Sequence, residues 1–116
     1  MVEYVPSKRL VWLRGEVKSP PFSRDARIEA GYLLRLLQEG ERLGPPESRP
    51  MPAIGTNCHE LRVQDANVTW RIFYGLTSDA VVILDVVQKK TRTTPKHLID
   101  VVRKRWKNYL IVAEED

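Results

Sequence analysis

One cysteine, Cys58, stands in 116 residues, so no disulfide can form within the chain, and a reducing compartment fits best. Histidine is almost as scarce: His59 and His97 are the two in the chain. With one thiol they fall short of the four ligands a structural zinc site wants. No apolar run approaches the roughly 18 residues that span a bilayer. The opening MVEYVPSKR lacks the apolar core of a secretory leader. No cluster of carboxylates is spaced to hold two catalytic metal ions. The expectation is a cytoplasmic protein with no membrane segment, no metal and no cofactor. The length suits one compact domain, residues 1–116, and no more.

Negative charge is scarce over one long stretch. Residues 88–107 contain eight Lys or Arg and a single acid, Asp100, whereas the whole chain carries only +4. Glu114, Glu115 and Asp116 offset three of those charges at the other end, and residues 113–116 read as a flexible acidic tail. The basic block QKKTRTTPKH, residues 88–97, follows the apolar run AVVILDVV. Two readings stand. A local cationic patch most often meets a phosphate polymer; the bland alternative is a solvated helix face.

The remaining pattern is ordinary for a globular domain, 42% hydrophobic and 29% charged. KRLVWLRG (8–15) reads as a first strand. KSPPF interrupts, because proline extends neither a helix nor a central ladder. Ser23 can cap a helix in which Ala26, Ala30, Leu33, Leu34 and Leu37 form one apolar stripe, with Gly40 as the stop. Gly31 inside that helix hints at close packing on a sheet. Residues 44–56, with four prolines, read as a long loop. Three strands follow. In CHELRV (58–63) His59, Leu61 and Val63 share one face, Glu60 and Arg62 the other. VTWRIFYGL (68–76) sets Val68, Trp70, Ile72 and Tyr74 against Thr69, Arg71, Phe73 and Gly75. AVVILDVV (80–87) suits a central strand covered on both faces. PKHLIDVVRKRWKNYLIV is a helix with Pro95 at its start and Leu98, Val102, Trp106 and Tyr109 as the buried stripe. The sum is an α+β domain with a sheet of about four strands, a helical segment before the meander and a helix after it.

Arg71 is the most telling residue. A charged group in mid-strand between large apolar neighbours needs a partner or lines a cleft. One reading pairs it with Glu60 or Asp85. The other joins it to Arg62 on the next strand and to Lys89 and Lys90 after the third, as a hollow the width of a phosphodiester. Arginine grips phosphate through two donors and lysine acts as a movable point charge. Both readings hold if Glu60 orients Arg71. Trp70, Phe73 and Tyr74 fit the core better than a base-stacking platform; Trp12, Trp106 and Tyr109 read as core too. His59 reads as structural, on the Leu61 face.

The blocks HELRV, WRIFY, VVQKKTRTTPKHLID and RKRWKNY, in that order, resemble the phage-derived, HigB-like branch of the RelE/ParE toxin superfamily. The likeness runs from about Trp12 to Tyr109 and takes in LLRLLQEGERL. It implies a RelE-like fold with a curved antiparallel sheet. It implies a type II toxin that cuts messenger RNA, usually on the ribosome, and a neighbouring antitoxin, often of helix-turn-helix type; the lack of a carboxylate cluster favours cleavage without a metal. A dimer or a toxin–antitoxin hetero-oligomer is the implied assembly. By the same resemblance Arg71 inherits a phosphate-holding role, and Lys89 and Lys90 contacts to the scissile phosphate or leaving group. A further catalytic side chain falls near Lys96 and His97.

The chemistry agrees. RNA cleaves itself once its 2′-OH lies in line with phosphorus. A protein that charges the site positively and fixes that alignment lowers the barrier most. Arg71 and Lys90 would hold the phosphorane, with Lys89, Lys96 or His97 moving protons. A histidine can give or take a proton in such chemistry; His97 equally suits a place in the first helical turn. Arg62, Arg92, Arg103, Lys104 and Lys107 are the candidate RNA contacts. Two other readings remain: a non-enzymatic, ParE-like inhibitor of DNA gyrase, and an antitoxin-binding relic without catalysis. Gyrase binding does not require the Arg71, Lys89, Lys90 constellation.

Overall fold

The structure is a computed structural model and describes residues 7–115. Five strands and two helices follow in the order β1 (Arg9–Trp12), α1 (Arg24–Gln38), β2 (Ser48–Pro50), β3 (Cys58–Asp65), β4 (Val68–Leu76), β5 (Ala80–Gln88) and α2 (Lys96–Glu115). They form one open sheet in the order β1-β5-β4-β3-β2. β2 to β5 pair antiparallel, and β1 runs parallel to β5. The sheet is therefore mixed and five-stranded, where about four antiparallel strands were expected. The missed strand is SRP, inside the proline-rich segment. Three residues ending in proline carry no period to read, and such a piece can sit only at an edge.

α1 and α2 lie on opposite faces of the sheet. α1 sets Ala26, Ala30, Leu33, Leu34 and Leu37 against Leu61, Val63, Ile72, Tyr74, Val81 and Ile83. Its start follows the expected chemistry: the Ser23 hydroxyl accepts from Ala26 N at 3.1 Å. The Asp65 carboxylate, at the far end of β3, accepts from Ser23 N at 2.9 Å. A negative charge at a helix N-terminus is favourable, and this one ties α1 to the β3–β4 turn. On the other face α2 packs Val102 and Trp106 over Phe73, Val82, Leu84 and Cys58. Side chains of this size each add roughly 1.5–3 kcal/mol when fully buried, so the alternating strands are sealed on both sides.

Two glycines show where backbone meets ring. A Cβ on Gly75 would lie 2.5 Å from Trp106 Cζ3, and one on Gly55 would lie 2.9 Å from Trp106 Cδ1. The Trp106 ring lies over bare backbone, which fixes how close α2 comes to β4. Gly31, expected at a close helix–sheet approach, is instead exposed, with nothing within 4 Å of where a Cβ would be. Trp12 also departs from expectation. It is 40% exposed, because β1 is an edge strand and only Leu10 and Val11 reach the two cores. Residues 113–115, expected in a tail, continue α2; Asp116 lies outside the described residues.

One irregularity matters for the site. Phe73 pairs with Asp85 but Tyr74 pairs with Ile83, so Leu84 is an extra residue in β5. Such a bulge reverses the alternation beyond it. Ala80, Val82 and Leu84 face α2 before the bulge, and Asp85 and Val87 face it after. Arg105 of α2 fastens the bulge, donating from Nη1 to Leu84 O at 2.6 Å and lying 3.5 Å from Asp85 Oδ2.

Candidate active site

β3 and β4 pair so that Arg62 stands directly opposite Arg71. Two like charges at that spacing need a counter-charge. Glu60, one turn of the pleat away on the same face of β3, supplies it. Arg71 Nε donates to Glu60 Oε2 at 2.7 Å, and Arg71 Nη2 donates to the same oxygen. Arg62 Nε donates to Oε1 at 2.6 Å. Arg49, the cross-strand partner of Glu60 on β2, places its Nε 3.3 Å from Oε1. Glu60 is fully buried and Arg71 is 2% exposed. The centre thus holds three guanidiniums around one carboxylate, a local charge of +2.

Burial pushes the Glu60 carboxyl up. Hydrogen bonds from Arg62 and Arg71, with the charges of Arg71 and Arg49, outweigh it and hold the carboxyl below its ordinary range. Glu60 is therefore an anion at neutral pH that aims arginines, not an acid with a proton to give. Of the two partners the sequence offered Arg71, Glu60 is the one it bonds. The alternative partner Asp85 is engaged with Arg105 instead.

The basic segment closes on Arg71 from the other side. Lys89 N donates to Thr69 O at 2.8 Å, extending the ladder one residue past β5. Lys89 is two residues beyond Val87, the cross-strand partner of Arg71, and alternation puts it on the Arg71 face. Thr94 accepts a hydrogen bond from Arg71 Nη2, so residues 89–94 form a strap over the guanidinium. Arg71 Nη1 makes no hydrogen bond among the described residues. It is not a sealed-off atom either, because the one buried side-chain nitrogen lacking a partner among the described residues is Arg49 Nε.

Other expected residues are placed less centrally. Lys90, Arg92, Lys96 and His97 are exposed around the strap and the first turn of α2, and none is bonded to Arg71. Lys104 and Lys107 lie exposed further along α2. Arg103 is diverted: its Nε and Nη2 donate to Ala53 O at 2.9 and 2.8 Å, and Nη1 to Asp100 at 3.1 Å. That pins the proline-rich segment to α2. Phe73 and Tyr74 are buried, and Trp70 stacks on Phe22 at 4.4 Å while its Nε1 donates to Asp65 at 2.9 Å, so all three serve the fold. His59 is half-buried on the opposite face, stacked on Tyr74 at 5.3 Å. Desolvation lowers its pKa. It borders a cavity of about 520 Å³ with Lys8, Arg42 and Thr77, separate from the arginine centre.

Arg49 and Thr94 carry no signal of a site in the sequence. Arg49 lies in ESRP, where charge and proline say only loop, and Thr94 is one of three threonines in the basic block. Only strand pairing and the return of the strap bring them to Glu60 and Arg71.

No curated protein matches the chain. A protein-family model does: "Phage derived protein Gp49-like (DUF891)", over residues 21–107. That span runs from just before α1 to the middle of α2 and includes Arg49, Glu60, Arg62, Arg71, the strap and Lys96. The family is RelE-like and associated with the toxins of toxin–antitoxin pairs, which implies an antitoxin as partner. No described helix is long and apolar enough to cross a membrane. The chain belongs to the phage-derived Gp49-like family of toxin-like proteins.

Proposed function

We propose that this protein is the toxin of a type II pair and cleaves messenger RNA on the ribosome without a metal, in the manner of the HigB-like branch. The observation that carries the reading is the arginine centre: one buried carboxylate holds three guanidiniums and leaves two positive charges over. A net cationic site built on rigid strands is preorganised for an anion.

In this reading one scissile phosphodiester docks against the exposed side of that centre. Arg71 Nη1 and Lys90 hold the two non-bridging oxygens. As the 2′-oxygen attacks phosphorus, a proton leaves the 2′-OH. The bond to the 5′-oxygen breaks, and that oxygen takes up a proton. The products are a 2′,3′-cyclic phosphate and a 5′-OH. Lys89 within the strap and Lys96 and His97 at the start of α2 are the candidates for the two proton transfers. Arg92, Lys104 and Lys107 are exposed and are assigned in this reading to neighbouring phosphates. The partner antitoxin is of helix-turn-helix type.

The test is expression in a bacterium, with transcript ends mapped after induction. Wild type should produce new 5′-OH ends within coding regions. Arg71→Ala and Lys90→Ala should abolish most of them while the folded protein still accumulates. Near-normal cleavage by both variants removes the scheme. Growth arrest with no new ends, but with broken chromosomal DNA, assigns the protein to gyrase inhibition instead.

A further inference from the structure

Arg49 lies in the three-residue edge strand β2. Its Nε points inward, buried and without a hydrogen-bond partner, 3.3 Å from Glu60 Oε1. The same oxygen already accepts from Arg62 at 2.6 Å. Yet the Arg49 side chain is 42% exposed, and its Nη atoms, unlike Nε, are not among the buried unpartnered nitrogens of the described residues. Arg62 is in a similar state: Nε is committed, the side chain is 29% exposed, and its Nη atoms make no hydrogen bond among the described residues. Two guanidiniums therefore share one carboxylate oxygen through Nε, and the Nη atoms of both keep solvent-exposed surface. Arg71, two-fold bonded to the other oxygen, completes the row.

A row of three guanidiniums on one carboxylate repels itself unless something negative joins it. No second carboxylate touches Arg49 or Arg62 among the described residues. The free donors are Nη pairs, the fork geometry that matches the paired oxygens of a phosphate.

We infer that Arg49 and Arg62 together form a second phosphate subsite, adjoining the one at Arg71 and taking the next phosphodiester of a single-stranded RNA. Glu60 is the shared positioning residue of both subsites. The proline-rich segment 44–56 carries Arg49 into place, and Arg103 holds that segment against α2 through Ala53. The segment thus forms one wall of the RNA path. This inference rests on the RNA reading of the site and extends it from one phosphate to two.

The probe is a short 2′-O-methyl RNA oligonucleotide, which binds but cannot be cleaved. Its affinity is measured against salt concentration for wild type, Arg49→Gln and Arg49→Lys. Each phosphate neutralised on a single strand contributes about 0.7 to the slope of log K against log salt. Arg49→Gln should lower the slope by about that amount, and Arg49→Lys should keep it. A role confined to folding would shift the unfolding midpoint and leave the slope alone. An unchanged slope in Arg49→Gln overturns the inference while leaving cleavage at Arg71 intact. Wild-type protein that shows no salt-dependent RNA binding overturns the inference and the RNA reading together. Loss of slope in Arg49→Gln from a wild type that cuts no transcript supports the subsite and sinks the cleavage reading. Binding of a polyglutamate peptide in place of RNA, weakened by Arg49→Gln, assigns the pair to an acidic protein partner and also overturns the inference.

Discussion

Replacing Glu60 with glutamine removes one charge and almost no volume, and the structure says where the cost falls. In the native protein the hub carries +2; in Glu60→Gln it carries +3, with Arg71 still buried to 2% exposure. Removing one partner of a buried ion pair costs about 3–5 kcal/mol, because the other charge is left uncompensated. Glutamine keeps one oxygen to accept from Arg71 or Arg62, so the lower end, about 3 kcal/mol, is expected. For a chain of this length each kcal/mol moves the melting temperature by about 4 °C, so the midpoint should fall by roughly 12 °C. In urea the midpoint should fall with the slope m unchanged. A second arm separates charge from packing. In Arg71→Met/Glu60→Gln the buried charge is gone, so the double variant should be more stable than the sum of single losses predicts, by about 1 kcal/mol or more. A loss under about 1 kcal/mol for Glu60→Gln, or strict additivity in the double variant, would refute the view that Glu60 neutralises and aims the arginines.

Further outcomes follow from the same geometry. The Glu60 carboxyl is held below its ordinary value of 4.5 in the folded state; a depressed carboxylate stabilises fully above the unfolded value and loses that contribution as pH falls through the folded one. The stability gap between wild type and Glu60→Gln should be constant above about pH 4.5 and shrink below it, as urea midpoints across pH will show; a gap that widens in acid contradicts the assignment. Gly75→Ala should cost roughly 1–3 kcal/mol because its Cβ meets the Trp106 ring, whereas Gly31→Ala, in open helix, should stabilise by about 1 kcal/mol. Thermal melts of the pair decide this, and a neutral Gly75→Ala would mean the ring moves freely. Burial pushes the Cys58 thiol up to about 12, so a thiol reagent should label native protein no faster than it unfolds. A rapid stoichiometric burst would refute that.

Much of the fold was legible because local chemistry and burial agreed. The α1 stripe of Ala26, Ala30, Leu33, Leu34 and Leu37 is the buried face found, and Ser23 caps as expected. β3, β4 and β5 fall where alternation and apolar content put them. The mid-strand charge of Arg71 signalled a partner, since a guanidinium is not left there without one, and Glu60 is that partner. Less was legible wherever an element is short or at an edge. β2 is three residues beside prolines, so neither the strand nor Arg49 could be read. Trp12 reads as core in a string of apolar residues, but the edge of the sheet leaves it half in water.

The sequence by itself determined which residues are buried along each long element, the presence of Arg71 and Glu60 on adjoining strands, and the dense positive charge that follows β5. Tertiary structure alone decided how these meet. The extra residue at Leu84 reverses the alternation of β5 and so carries Lys89 to the face of Arg71. The return of Thr94 covers that arginine, and pairing of β2 with β3 adds Arg49 to the carboxylate of Glu60. The reason is physical: burial preference acts residue by residue and is written in composition and period, whereas register and edge pairing depend on segments far apart in the chain meeting in one place.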